Sequence, residues 1–539
     1  MVLHQNVTAS LAPGYRRVVP IDGGVLASPT RPLSAILEVG LEVNRDDVVL
    51  TSADGSMTWR ELDDASTALA AGYLGLGLRR GDRLASLMPN RPALVVHYLA
   101  CFKAGLVATP LNYRYAPPEI DHALEVSGAA ALVAHAERAD DVAGSRLAAD
   151  LSCGVIRYGD SNADGVTFES LAAGAPSAIE RDTAQPSDPA VIFFTSGSTG
   201  PAKGVTHSSE TIRWMCASAA AALELVRGDV VLPASSMAHI GAFVWTLASL
   251  SVGARVVIAR TFDAHEVFPL LRSERPTVLT MIPAALTALV REHDCSAADF
   301  ESLRVCRAAA DKVSLELQEE FARLVRFPID EGYGMTEVGL ATLNPVSGVI
   351  KRGSIGRPVP GYSISIRDEA GKEVPAGTIG RVWIKSQCEM IGYWENPIAT
   401  AEVMSADWLD SGDLVHADND GYLWFFGRKK QIIVHDGSNI SPLEVEGALA
   451  EHPGVALAGV VGIHDALHGE NVRAYVTVKA GEPVPTSREL IEFARAQVGY
   501  KAPEEIVFLD EIPLNPTGKV DRVALKRLAE DHVHPHGIG

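Results

Sequence analysis

Thr195-Ser196-Gly197-Ser198-Thr199-Gly200-Pro201-Ala202-Lys203-Gly204 follows the apolar run Val-Ile-Phe-Phe at 191–194. The run reads as a buried strand and the segment after it as a loop. Glycines let a backbone turn its amides toward an anion, hydroxyls add donors, and a lysine supplies a full charge. Such a loop suits a polyphosphate. It is not the P-loop of the NTPases, because no G-x-x-x-x-G-K-[ST] spacing can be read here. Taken alone, the stretch also reads as a flexible surface turn.

Four distant segments bear on that choice. In order, they are Glu331-Gly332-Tyr333-Gly334-Met335-Thr336-Glu337, Trp408-Leu409-Asp410-Ser411-Gly412-Asp413, Gly427-Arg428-Lys429-Lys430 and Pro516-Thr517-Gly518-Lys519. Together with the glycine loop they resemble the motif series of the adenylate-forming superfamily. That superfamily comprises acyl- and aryl-CoA synthetases, luciferases and peptide-synthetase adenylation domains. The resemblance runs from about Asp46 to about Leu528, and the pattern is most similar to an AMP-forming acyl-CoA synthetase. One motif is weak; five in order make accident very unlikely.

Composition sets outer bounds. At 539 residues the chain predicts two or more domains. A formal net charge of -20 argues against a nucleic-acid partner, which would want a basic face. The cysteines, Cys101, Cys153, Cys216, Cys295, Cys306 and Cys388, form no C-x-x-C pair. That spacing offers neither a zinc site nor a disulfide framework and fits a reducing compartment. The longest uncharged apolar-rich run, 240–254, is too short to span a bilayer, and no signal core or peroxisomal address is legible. The expectation is a soluble cytoplasmic protein, with a homodimer allowed for.

Along the chain, 1–30 lacks periodicity and reads as an extension on the surface. From Asp46 apolar runs alternate with helical patterns. Strands are predicted at 84–88, 106–110, 129–134, 230–233, 255–259 and 277–281, and helices at 93–103, 118–126 and 266–273. Repeated βα units imply largely parallel sheets covered by helices on both faces. After Gly353 short strands at 363–367, 380–384 and 422–426, separated by turns, look antiparallel. The expected fold class is α/β. Residues 31–429 form a large domain of βα-layered sheets with a small antiparallel β section. Residues 430–539 form a small mobile α+β domain that carries the lysine of the last motif.

What the resemblance implies is a two-step chemistry. A carboxylate attacks the α-phosphate of ATP, pyrophosphate leaves, and a thiol, usually of coenzyme A, attacks the acyl-adenylate. The first step gathers negative charge and needs cations and oriented donors. Carried over residue by residue, Thr195, Ser196, Gly197, Ser198, Thr199, Gly200 and Lys203 hold the terminal phosphates. Glu337 matches the Mg2+ ligand, and Thr336 donates to the α-phosphate. Tyr333 stacks on adenine, Asp413 accepts both ribose hydroxyls, and Arg428 touches the same ribose. Lys519 bridges the α-phosphate and the acid. Lys430 falls at the hinge and Gly437 beside the thiol tunnel. His239 matches a histidine between the acid pocket and that tunnel, although a histidine in an apolar segment also reads as a satisfied core residue. Gly241, Phe243, Ala308, Ala309 and Leu340, with Trp245 and Met281, are expected to form an apolar acyl pocket.

Two departures stand out. Ala308-Ala309-Ala310-Asp311-Lys312-Val313 replaces a Gly- and Pro-containing loop, and His435-Asp436-Gly437 replaces Gly-Gly. The favoured reading is an acid–CoA ligase using ATP, Mg2+ and coenzyme A on a small carboxylic acid. One alternative loads the phosphopantetheine thiol of a carrier protein. No acidic residue follows His239, which disfavours an amino-acid substrate. A third reading, an inactive nucleotide-binding scaffold, would require loss of a key group, whereas Lys203, Glu337, Asp413, Arg428 and Lys519 are all present.

Overall fold

The computed structural model describes residues 21–22, 29, 31–160, 165–174, 185–195, 202–293, 295–308, 313–325, 327–435, 438–465, 469–515 and 518–532. Four sheets organise them. The first has the strand order Gly392–Tyr393, Gly204–Ser208, Pro189–Phe194, Val107–Pro110, Arg83–Leu87, Ala131–His135, Val155–Tyr158. From Pro189–Phe194 to Val155–Tyr158 the pairing is parallel. Parallel strands need crossovers, and helices Pro92–Ala104 and Pro117–Ser127 supply two of them. The first of these starts on a proline, whose missing N–H costs nothing there, and stops at Gly105, which takes a left-handed φ of 68° with no Cβ penalty. Its residues from Leu94 to Ala104 are buried all round, so it lies between layers and not on the surface.

The second sheet has nine strands, in the order Arg357–Pro358, Gly339–Leu343, Asp330–Met335, Val305–Ala308, Val278–Met281, Val230–Ala234, Arg255–Ile258, Val48–Ser52, Gly55–Thr58. Its centre is parallel, as the alternation of strand and helix patterns predicts. Antiparallel pairing begins earlier than Gly353. The turn after Met335 reverses the chain, and Gly339 at φ 73° makes that reversal possible, so Gly339–Leu343 runs back along Asp330–Met335.

The third sheet is antiparallel, built on Tyr362–Arg367, Gly380–Ser386, Trp408–Ala417 and Leu423–Arg428. The reading of 1–30 as a surface extension needs one amendment: Ile21–Asp22 pairs with Ile364 and Ser363 as an edge strand. Apart from those two residues and Pro29, that stretch lies outside the described residues.

A short 3-10 turn, Lys429–Gln431, leads out of the third sheet. Beyond it a fourth sheet pairs Val455–Asp465 with Gly469–Val478, flanked by helices Pro442–Ala450, Ser487–Val498 and Arg522–His532. This unit has a core of its own, with Ile433, Val445, Val460, Val472 and Leu490 fully or almost fully buried. The α/β class, with large parallel sheets, a small antiparallel one and an α+β C-terminal unit, is as the sequence predicts.

Candidate active site

The first three sheets and the C-terminal unit meet around a cavity of about 980 Å3. Its walls include Lys203, Arg428, Lys429, Lys430 and Lys519. On a chain of net charge -20 this is a local concentration of cations, suited to an anionic ligand.

The glycine loop closes an antiparallel hairpin. Phe194 pairs with Gly204, so residues 195–203 form its tip. Thr195 N–H donates to Lys203 O at 3.1 Å, and Lys203 N–H donates to Thr195 Oγ1 at 3.1 Å, which pins the two ends of the loop together. Ser196, Gly197, Ser198, Thr199 and Gly200 lie outside the described residues. The Lys203 ammonium sits 4.8 Å from the centroid of the Tyr393 ring. Tyr393 in turn donates its hydroxyl proton to Glu337 Oε1 at 2.8 Å.

Thr336 and Glu337 occupy the reversal between Asp330–Met335 and Gly339–Leu343. His207 Nε2 lies 2.8 Å from Thr336 O. A carbonyl can only accept, so this nitrogen carries the proton, and burial pushes the imidazole down to about 4, keeping it neutral. Glu337 is 7% exposed, and burial raises its carboxyl above the usual range while the Tyr393 hydroxyl opposes the shift. A desolvated carboxylate with one neutral donor gains most from an adjacent cation. Among the described residues no group of three His, Cys, Asp or Glu gathers into a metal cage. A divalent ion here would thus take one carboxylate and fill its other positions from phosphates and water, which fits the coordination habit of Mg2+.

Asp413 is the ribose candidate and is 1% exposed. It pairs in register with Arg428 across the third sheet, and Arg428 Nε comes within 3.1 Å of Asp413 Oδ1. Tyr333 donates to Asp413 Oδ2 at 2.5 Å. Burial raises the carboxyl, and the Arg428 charge offsets part of that rise. Among the described residues Oδ1 is close enough to Arg428 for ion pairing but accepts no hydrogen bond of good geometry, which leaves it the capacity to accept one.

Lys519 reaches the cavity from the C-terminal unit. Asn515 N–H donates to Lys519 O at 2.7 Å and Lys519 N–H donates to Asn515 Oδ1 at 3.1 Å, closing a tight turn in which Gly518 adopts φ 82°. The ammonium acts on two groups across the cavity: it depresses the imidazole of His239 and steadies the charge of Asp413. His239 caps helix Ile240–Ser251, and burial first, then the Lys519 charge, pushes it down to about 4. Asn112 Nδ2 lies 3.5 Å from its Nε2.

The acyl pocket differs from expectation. Gly241 and Leu340 line the cavity, and a methyl group on Gly241 would meet nothing within 4 Å. Phe243 turns away. Two residues beyond Gly241 on a helix, it points to the opposite side and packs into the core against Tyr98 and Phe193, at centroid distances of 5.0 and 5.1 Å. Trp245, four residues on, returns to the cavity. Ala308 faces the core shared with Met281, and Ala309 lies outside the described residues, as does Gly437. Sequence reasoning missed Arg307 and Thr280, which also line the cavity. The available signal was a charged residue inside the otherwise apolar strand Val305–Ala308.

The AMP-binding enzyme family model matches residues 37–394, and the AMP-binding enzyme C-terminal domain matches 444–519. The chain belongs to the AMP-binding enzyme family. Among its relatives, a feruloyl-CoA synthase of Amycolatopsis sp is 32% identical over 477 residues, covering 88% of this chain and 94% of the relative. The fatty acid–[acyl-carrier-protein] ligase ScoC of Streptomyces coeruleorubidus is 32% identical over 493 residues, covering 87% and 91%. A crystal structure of the anthranilate CoA ligase AuaEII in complex with anthranoyl-AMP superposes with a TM-score of 0.86 at 26% identity, covering 94% of this chain and 99% of that one. Within the family this chain groups with the acyl- and aryl-CoA ligases. No described helix is long and apolar enough to cross a membrane.

Proposed function

We propose that the protein is an AMP-forming acid–CoA ligase: it activates a carboxylic acid as its adenylate and passes the acyl group to the thiol of coenzyme A. The observation that carries this reading is the convergence on one cavity of Lys519 from the C-terminal unit with Lys203, Glu337 and Arg428, the last paired with buried Asp413 and, through it, with Tyr333. Asp413 Oδ1 takes a ribose hydroxyl, satisfying its open acceptor, while the ring of Tyr333 borders the adenine. Lys203 and the hairpin tip hold the β- and γ-phosphates. Glu337 would hold Mg2+ together with phosphate oxygens, and the ion when bound would supply charge neutralisation for the leaving pyrophosphate.

Lys519 then pairs with both reactants. Its ammonium draws the acid carboxylate and the α-phosphate together and stabilises the charge that builds as the new C–O–P linkage forms. Thr336 donates to the same phosphate. Neutral His239 and Asn112 border the carboxylate without competing for it as charges. For the second step the C-terminal unit, 430–539, swings about Lys430, withdrawing Lys519 and bringing the segment at Gly437 to the thiol path.

A second reading, transfer to the phosphopantetheine of a carrier protein, is favoured by the identity shared with ScoC. One assay separates all the alternatives. A panel of carboxylic acids is offered with ATP and Mg2+, and pyrophosphate and AMP release are followed with coenzyme A or with a phosphopantetheinylated carrier. The ligase reading expects pyrophosphate with at least one acid and thioester with coenzyme A. Absence of pyrophosphate with every acid would leave the scaffold reading standing.

A further inference from the structure

Three neighbouring strands of the second sheet carry a row of polar side chains. Thr280 pairs in register with Arg307, and Arg307 with Asp330, so the three lie side by side on one face. All are buried, at 5%, 4% and 2% exposure. Each carries an unpaired polar atom: among the described residues Thr280 Oγ1, Arg307 Nε and both carboxyl oxygens of Asp330 lack a hydrogen-bond partner. Buried polar atoms are nearly always bonded, and each orphan is costly, so an unsatisfied row that reaches a cavity points to a missing partner.

The row has a direction. Thr280 and Arg307 line the cavity. The Arg307 guanidinium stacks on Trp245, 4.7 Å from the ring centroid, which fixes its plane. No described carboxylate comes within ion-pair distance of it. Asp330, beside it in register, is at most a partial counter-ion, since burial raises that carboxyl and the Arg307 charge only offsets part of the rise. Met281 and Leu340 make the neighbouring wall apolar. A hydrocarbon tail placed here would strand a cation, whereas a carboxylate would take the guanidinium fork on its two oxygens and still accept from the Thr280 hydroxyl through a spare lone pair.

We infer that Arg307, with Thr280 and Trp245, receives a second carboxylate on the acid substrate, at the end remote from the one that is adenylated. This rests on the ligase reading and narrows it to a dicarboxylic acid, one of whose carboxylates is retained through both half-reactions. Arg307 then acts as a specificity-determining residue: it touches the substrate but not the reacting atoms.

The test uses the full-length enzyme with ATP, Mg2+ and coenzyme A. The probes are straight-chain and aromatic acids of stepped length, each supplied as diacid, methyl-terminated monoacid and neutral half-amide. The readout is AMP release, resolved into kcat and KM. At the matching length the diacid should exceed the methyl-terminated monoacid by about 10⁴ in kcat/KM, the scale on which a site built for a polar group rejects an analogue without it, with the half-amide between them. Arg307→Met should invert the order in favour of the monoacid, and Arg307→Lys should retain part of the original preference. Equal or better use of monoacids or half-amides at every length overturns the inference alone, as does an unchanged ratio in Arg307→Met. If that variant fails to fold, the wild-type ranking still decides. Failure of every acid to release AMP overturns the ligase reading and this inference together.

Discussion

Replacing Lys519 by alanine isolates the role of one charge. The main chain of Lys519 keeps the Asn515 turn, and only side-chain atoms are lost. The turn, and with it the fold of the C-terminal unit, should therefore survive the substitution. The loss at the reaction centre is far larger. A unit charge about 4 Å from a developing anion contributes about 4 kcal/mol at the effective dielectric of a partly solvated site. Loss of one preorganised donor to such an anion costs about 10² to 10³ in rate. Isotopic ATP–pyrophosphate exchange should fall by that factor, while thioester formation from a supplied, presynthesised acyl-adenylate stays close to wild type. A spectroscopic signature accompanies the loss: His239, held down partly by the Lys519 charge, should titrate higher in the variant, although burial keeps it below the ordinary imidazole value. Equal damage to both half-reactions, or an unmoved His239, would refute the placement of the ammonium in the adenylating site.

Glu337→Gln should raise the Mg2+ requirement before it abolishes ATP binding, and Tyr393→Phe, which removes the donor that orients the carboxylate, should do so by about 10-fold; a Mg2+ titration of pyrophosphate release checks both. Gly437→Leu should block pantetheine passage and Lys430→Pro should fix the hinge torsion, so each retains first-turnover pyrophosphate release yet makes little acyl-CoA. The buried Asp330 carboxyl, raised to about 8, binds a proton in the folded state that the unfolded chain has already released. Its stabilisation is complete below the ordinary aspartate range and is lost as pH rises to about 8. Denaturation midpoints should fall with pH across that window in wild type and less steeply in Asp330→Asn.

Much of the architecture was legible because the periodicities are local. The alternation of four-residue apolar runs with helical patterns sufficed for the parallel sheets, whereas the glycine loop was legible as a loop after a strand but not as the end of an antiparallel hairpin. The strand order was not legible, since Arg255–Ile258 pairs with Val48–Ser52, which lies about two hundred residues earlier. No local pattern encodes such a partner. At the cavity, motif positions such as Arg428 and its buried partner Asp413 could be named from sequence, but their registry across two strands appears only in the sheet. Phe243 was misplaced because composition says that a segment is apolar and says nothing of which side of the helix each residue takes. Arg307 escaped notice for the converse reason: one charge in a buried strand reads as an exception until its neighbours Thr280 and Asp330 prove to be exceptions as well.

Because the cavity is a seam between sheets, its walls have separate structural owners. The hairpin proposed to hold phosphate belongs to the first sheet, the Asp413–Arg428 pair proposed for the ribose to the third, and Thr280 and Arg307 to the middle of the second. Substitutions on the strands at 278–281 and 305–308 reshape the end that selects the acid, yet they perturb neither the register of Asp413 with Arg428 nor the ends of the 195–203 loop. Such a molecule can exchange one fuel for another over evolutionary time while its engine stays unaltered. A library confined to those two strands and to the cavity face of helix Ile240–Ser251 is consequently the shortest route to new acid preferences on this scaffold.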